Sequence, residues 1–249
     1  MSDSLGEYGE QAVAEALGGR PDHRVLAALT GWIAETDPDV GSHGVQINRD
    51  AWLTLPEIGV DGDSITRGDV RAAAELWRAN RDAVGLLTAV YAWGSGTTRY
   101  GPWRLEEILR LSTHDQVNAS IAEAERRLSA DGPVVAYSWL AGIDQTGRVI
   151  ESGSGRLERF GPAFFSKLLY FLSRPGGGEA LILDSVLAKK VSVLSGLNHF
   201  GPGGWTPYRY AVYLAWMRDT ASSLSVDPDR LELAVFKRPL GDVEMLHHQ

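Results

Sequence analysis

The sequence predicts a mostly α-helical fold with minor extended segments. Three observations carry that expectation. Apolar residues recur at three- and four-residue spacing over most of the chain, which is the period of one helix face. Helix-opening residues stand ahead of several such stretches: Pro162, Asp184 and the pair Thr206-Pro207. These types either accept bonds from the first free amides or have no amide to satisfy there. No long repeat and no clear linker interrupts the chain, so residues 1–249 read as one fold, divisible into an N-terminal helical region (residues 1–80) and a second helical region (residues 81–249).

In chain order, residues 23–36 place Leu26, Leu29 and Ile33 on one face, and Asp37-Pro38 ends that helix. Residues 40–63 are rich in Gly, Asp and Asn, with an extended piece expected at Val45-Gln46-Ile47. Residues 67–79 form an amphipathic helix burying Val70, Ala73, Ala74 and Trp77. Residues 81–93 are apolar nearly all round, the pattern of a central helix. Three glycines between Gly94 and Pro102 predict a loop. Helices follow at 103–111 and 115–130, and the apolar stretch 133–143 is read as a third; 144–155 is a turn-rich connection. Leu157 to Phe160 is a short apolar turn that Gly161-Pro162 breaks; Pro162 opens a helix reaching about Ser173, and together these make a hairpin region at 157–173. Pro175 and three glycines stop that helix, 180–183 is extended, and Asp184 caps a helix at 185–194. A long aromatic-rich helix at 206–223 and a short one at 227–237 complete the reading.

Composition bounds the chemistry. The 249 residues include no cysteine. That excludes a disulfide framework, a thiolate nucleophile, a Cys-based zinc site and a Cys-ligated iron–sulfur cluster. Residues 1–10 lack the basic and apolar pattern of a secretory signal. The longest apolar runs fall short of the ~20 residues a bilayer demands. The expected setting is the cytoplasm, with no membrane partner. The net charge of −8 counts against nucleic-acid binding, because phosphates call for Lys and Arg. Acidic residues gather early, at Asp3, Glu7, Glu10, Glu15, Asp37, Asp39, Asp61 and Asp63, whereas Arg156, Arg159, Lys167, Arg174, Lys189 and Lys190 come late. A local basic patch matters more than the sum.

Lys167 and Asp184 are the candidate catalytic pair. A lysine attacks carbon only as the neutral amine, and its free pKa is about 10.4. Lys167 falls in the second turn of the helix opened by Pro162, among Phe164, Phe165, Leu168 and Leu169. The positive end of the helix dipole and an apolar surround both disfavour an ammonium. Asp184 comes 17 positions later. The helix carries the chain away at ~1.5 Å per residue. After the turn at 175–178, the extended segment brings it back at ~3.3 Å per residue. Asp184 thus ends beside the start of the lysine's helix, its carboxylate kept ionised by the amides it caps.

The segments Phe160-Gly161-Pro162-Ala163-Phe164-Phe165-Ser166-Lys167 and Ala180-Leu181-Ile182-Leu183-Asp184-Ser185-Val186-Leu187 resemble the helix-hairpin-helix DNA glycosylases, and among them the 8-oxoguanine type. There a hairpin reads Pro-Gly-Val-Gly-Thr-Lys and an aspartate opens a later helix. Pro162 and Ser166-Lys167 match the hairpin's ends, while Ala163 and Phe165 replace its two glycines, which let backbone amides approach a phosphate. The chain is similar to a bacterial branch with Gly-Pro-Ala-Phe-Phe-(Ser/Thr)-Lys and a late Trp- and Tyr-rich helix. A weaker likeness covers 81–128, an apolar helix leading into a DNA-wedging loop.

The resemblance implies a helix-hairpin-helix glycosylase-like fold whose catalytic region is 81–249. It also implies a base-excision enzyme without cofactor, monomeric, acting on duplex DNA bearing an oxidised purine such as 8-oxoguanine. Lys167 would attack C1′, form a Schiff base and permit strand cleavage as an AP lyase, while Asp184 stabilises charge at C1′. Walls for the flipped base are expected from Phe164, Trp205, Tyr208 and Trp93. DNA contacts are expected from Thr97, Thr98, Arg99, Gly161, Ser166 and Lys189, with the loop 97–100 filling the gap in the duplex.

Plainer readings stand beside these. Lys167 can be a solvated lysine, Asp184 a simple cap, and Trp205, Tyr208, Tyr210, Tyr213 and Trp216 core residues, of which only Trp205, in a Gly-rich loop, stands out. His43, His114 and His199 show no ligand spacing, and His247-His248 reads as a frayed tail, so no metal is expected. Rival functions are a glycosylase for a hypermodified phage base in defence, a non-catalytic DNA-binding protein of the same fold, and a helical scaffold.

Overall fold

The chain's computed structural model describes residues 5, 9–52, 62–144, 147–150, 153–173, 180–198, 200–201 and 203–246. Among these are twelve α-helices: α1 (Gly9–Gly18), α2 (His23–Glu35), α3 (Arg67–Asn80), α4 (Ala83–Ser95), α5 (Tyr100–Leu111), α6 (His114–Asp131), α7 (Pro133–Ala141), α8 (Pro162–Leu172), α9 (Ser185–Ser195), α10 (Pro207–Leu224), α11 (Pro228–Lys237) and α12 (Leu240–Met245). The one sheet among them is an antiparallel pair, β1 (Gly44–Gln46) with β2 (Ser64–Thr66), in the register Val45 opposite Ile65. The mostly helical expectation holds. No described helix is long and apolar enough to cross a membrane.

Local chemistry explains most helix starts. Asp22 accepts amide bonds from Arg24 and Val25 to open α2. Thr66 and Asp69 form a reciprocal capping box on α3, and Thr113 with Gln116 does the same on α6. Asp184 caps α9, and Thr206 caps α10 with Pro207 in its first turn. Burial organises the packing. Every residue of α4 from Ala83 to Trp93 except Gly85 is buried. This helix packs on α3, α5, α6 and α8. Helix α8 is buried from Phe165 to Leu172 and lies against α3, α4, α6 and α7.

Several boundaries differ from the sequence reading. The buried stripe of α2 is Val25, Leu29, Trp32 and Ile33, with Leu26 only half-buried. Arg81 ends α3 at a left-handed φ of 60° instead of opening α4, whose cap is Asp82. The loop expected from Gly94 to Pro102 shrinks to residues 96–99. Gly94 and Ser95 finish α4, while Gly101 and Pro102 lie in the first turn of α5, where a missing amide hydrogen is tolerated. Gly101 fits there because a Cβ would come 2.0 Å from the Ser95 hydroxyl. Helices α1 and α12 and strand β2 had no counterpart in the sequence reading. The chain-reversing turn at 175–178 lies outside the described residues, as do Glu7, Asp61, Arg174, His199 and His247-His248.

Residues 180–184, just ahead of α9, belong to no sheet, and their backbone groups are held by side chains. Tyr210 and Tyr213 donate to the carbonyls of Leu181 and Ile182, at 2.8 and 2.6 Å. The Ile182 amide donates to Glu232. The Ser166 hydroxyl donates to the Leu183 carbonyl at 3.0 Å and accepts from its amide at 3.2 Å. These bonds fix the approach to Asp184.

Candidate active site

Lys167 projects from the second turn of α8 and is 5% exposed. Its Nζ donates to Asp184 Oδ2 at 2.9 Å and to the carbonyl of Ala163 at 3.3 Å. It also lies 5.7 Å from the centroid of the Phe164 ring. Asp184 divides its carboxylate: Oδ1 accepts the amides of Val186 and Leu187, both at 3.1 Å, and Oδ2 faces the lysine. Burial pushes the Asp184 carboxyl upward, but Lys167 and the two amides outweigh it and hold the group below the usual carboxylate value.

The pair is shaped by α4. A Cβ on Gly94 would sit 2.9 Å from Phe164 Cε1 and 3.0 Å from Lys167 Cδ, so only glycine lets the end of α4 come this near. The Phe164 ring stacks on Tyr91 at 3.9 Å and 12°, with Tyr100 6.4 Å away on the rim. Tyr100 and Trp103 are about half exposed and extend this aromatic surface outward.

Behind the pair lies a pocket of about 50 Å³, lined among others by His43, Arg67, Trp93, Glu232 and Phe236. Arg67 and Glu232 form an ion pair at 2.9 Å with side chains 2% and 0% exposed. Burial raises Glu232 to about 7 despite Arg67 and the Ile182 amide. Burial also depresses the His43 imidazolium, aided by Arg67 and Lys237, to about 4. A purine does not fit in 50 Å³, since ligand pockets run ~300 Å³ and upward.

A second, larger cleft of about 410 Å³ opens at the Gly161–Pro162 end of α8, where Arg104, Arg156, Arg159 and Trp205 meet. Arg156 and Arg159 are exposed, and Arg159 holds a left-handed φ of 68°. Gly161 is the N-cap of α8, without a side-chain capping bond. Among the described residues, α7, ending at Ala141, is the last helix before this turn.

The other residues singled out from sequence are distributed as follows. Phe164 and Trp93 border the Lys167–Asp184 pair. Trp205 is 4% exposed and lines the arginine cleft, its indole bonded to Gly201. The Tyr208 hydroxyl donates to Glu15 on α1. Ser166 is fully buried with its hydroxyl committed to Leu183. Thr97, Thr98 and Arg99 are exposed between α4 and α5. Lys189 is exposed and 3.8 Å from Glu244.

The sequence reading missed Gly94, Arg67, Glu232 and His43 as neighbours of the pair. One signal was available for Arg67. A cation in the first turn of a helix opposes the dipole, and Arg67 is the first residue of α3.

The family model described as "Putative 8-oxoguanine DNA glycosylase OGG-like protein" matches residues 38–236, well over half of the chain. Neither curated proteins nor solved structures give a match.

Proposed function

Because the chain belongs to the OGG-like 8-oxoguanine DNA glycosylase family, we propose that it excises an oxidised purine from duplex DNA with Lys167 as nucleophile. The observation that carries this reading is the buried 2.9 Å contact between Lys167 Nζ and Asp184 Oδ2. A buried ion pair is a poor stabilising device, often replaceable by apolar residues at no loss. The pair is therefore better explained by its chemistry than by its stability.

The target base is inside a duplex and must be flipped out to be reached. Phe164 and the exposed Tyr100 and Trp103 offer aromatic surface at the rim of the site. The Lys167 amine must lose a proton before attack, and Asp184 Oδ2 is the acceptor within reach. A bond then forms from Nζ to C1′ while the C1′–N bond breaks, its electron pair leaving with the base, which takes the proton that Asp184 received from Lys167. The carboxylate so restored stabilises the positive charge that remains on the sugar and Nζ. Ring opening leaves a Schiff base at Nζ. Abstraction of a C2′ proton then expels the 3′ phosphate and nicks the strand.

The DNA backbone runs along the cleft where Arg156, Arg159 and Arg104 gather. These cations replace the close amide approach that Ala163 and Phe165 deny. They also give a local positive rim on a chain of net charge −8. The test is borohydride reduction during incubation with a duplex carrying an abasic site. The wild-type chain is expected to form a covalent adduct that Lys167→Ala abolishes. Absence of any adduct with the wild-type chain overturns the reading.

A further inference from the structure

The wall of the pocket beside the Lys167–Asp184 pair is rigid. The His43 carbonyl accepts the Arg67 amide at 2.9 Å and the Trp93 indole N–H at 3.3 Å. The His43 ring meets Trp93 and Phe236 edge-on, at 5.8 and 5.9 Å. The Arg67 guanidinium lies 5.2 Å from the centre of the Trp93 ring and 5.0 Å from that of Tyr170. Its two terminal nitrogens are spent, one on Tyr170 and one on Glu232.

Two polar atoms of this wall are buried without a hydrogen-bond partner among the described residues: Arg67 Nε and His43 Nε2. Arg67 is 1% exposed. An orphaned buried polar group costs ~1–3 kcal/mol, and a native fold that keeps two of them at one pocket calls for an explanation. Both residues line the same cavity as Lys167 and Asp184. The remaining lining is Gly94, the apolar Val45, Trp93, Ile182, Leu187 and Phe236, and Glu232, whose carboxylate oxygens are taken by Arg67 and the Ile182 amide.

We propose that Arg67 Nε and His43 Nε2 read the leading edge of the extruded base, and that they select a lactam, a carbonyl next to a ring N–H. The inference rests on Lys167 being the glycosylase nucleophile. Arg67 Nε is a donor only, so it demands a carbonyl oxygen. The neutral His43 ring can offer its free nitrogen as an acceptor for the adjoining N–H. The pocket's volume of about 50 Å³ suits this role. A cavity of ~10–15 Å³ on this measure holds one water, so an exocyclic oxygen and its neighbour fit while the rest of the ring stays toward Gly94 and Phe164. A base that presents no carbonyl leaves both groups buried and unpaired, the situation in which a polar site discriminates most strongly.

The test compares the wild-type chain with His43→Phe and His43→Gln on two kinds of duplex. One carries a preformed abasic site, where no base remains to be read. The others carry a base, either a lactam (8-oxoguanine, hypoxanthine or uracil) or 1,N6-ethenoadenine, which has no carbonyl. The wild-type chain is expected to excise at least one lactam base and to leave ethenoadenine ~10²-fold slower or more. His43→Phe is expected to slow excision ~30-fold or more while abasic-site trapping stays within about threefold. His43→Gln, whose amide supplies both a donor and an acceptor, is expected to recover about tenfold of that loss. Equal losses of trapping and excision in His43→Phe, no loss of either, excision of no lactam base, or comparable excision of ethenoadenine overturns the assignment. Wild-type trapping that survives such a result leaves the nucleophile in place. A wild-type chain that traps nothing removes both readings together.

Discussion

Asp184 Oδ2 stands 2.9 Å from Lys167 Nζ while Oδ1 of the same carboxylate caps α9. The two duties separate under mutation. Asparagine is as good an N-cap as aspartate, so Asp184→Asn keeps the amide bonds and loses the charge. It is expected to fold, with single-turnover excision reduced ~10²–10⁴-fold, the range for loss of a positioned acid–base or electrostatic group. Asp184→Ala loses the cap as well, costing a further ~0.5–2 kcal/mol of stability. Thermal melts beside excision rates distinguish the two duties, and an active Asp184→Asn chain would show that the charge is dispensable.

Gly94 sets the distance between α4 and α8 at Lys167. In Gly94→Ala the new methyl carbon meets Phe164 and Lys167 at 2.9 and 3.0 Å. Overpacking of this kind costs ~1–3 kcal/mol. Because one colliding atom is the stem of Lys167, abasic-site trapping is expected to fall more than the melting temperature suggests. A chain destabilised by that amount but trapping at the wild-type rate at about 20 °C would sink the claim that Gly94 positions the amine.

Ser166→Ala tests how the segment ahead of Asp184 is held. The hydroxyl serves both the carbonyl and the amide of Leu183, and its removal leaves two buried backbone groups unpaired, ~1–3 kcal/mol for each. Reduced stability and slower excision are expected, with duplex affinity unchanged, since Ser166 is fully buried. Weakened DNA binding at equal stability would return Ser166 to the DNA surface.

The Lys–Asp juxtaposition was legible because it follows from local rules. A proline-opened helix, an extended run and an N-cap have known lengths, and together they return the chain to its starting level. The environment of the adjacent Ser166 was not legible in the same way. Neighbours on a helix diverge by about 100°, so a lysine turned toward Asp184 sends the serine into Leu183. Trp205 lines the arginine cleft and not the lysine pocket, and a Gly-rich setting signals an unusual backbone without saying which cavity it lines. Tyr208 meets Glu15 on α1, a helix absent from the sequence reading. The pocket wall was out of reach. Arg67 and Glu232 are 165 positions apart, and His43 stands just ahead of β1, whose extended course was expected but whose partner β2 has only three residues, too few for an alternation to read.

The arginine cleft makes a prediction about salt. Arg156→Ala and Arg159→Ala are each expected to weaken binding to any duplex, damaged or not, and to lower the slope of log affinity against log salt by ~1 if each meets one phosphate. Titrations at several salt concentrations read this directly. Selective loss on damaged duplex with an unchanged slope would assign these side chains to base recognition instead.

Glu232 gives a pH signature. Its folded-state pKa of about 7 lies above the ordinary carboxylate value of 4.5. The folded chain therefore holds this proton over a range in which the unfolded chain has lost it. The stabilising contribution is complete below about pH 4.5 and disappears as pH rises through about 7. For a side chain 0% exposed, a shift of that size corresponds to roughly 3 kcal/mol. In Glu232→Gln the amide stands in for the protonated acid and does not titrate. The stability difference between the variant and the wild-type chain should thus move in the variant's favour from about pH 4.5 to about 7.5, the reverse of the trend from Asp184, whose lowered pKa stabilises above its unfolded value. Urea unfolding at several pH values measures that difference. A gap that stays constant across the range would mean that Glu232 is ionised throughout, its burial fully offset by Arg67.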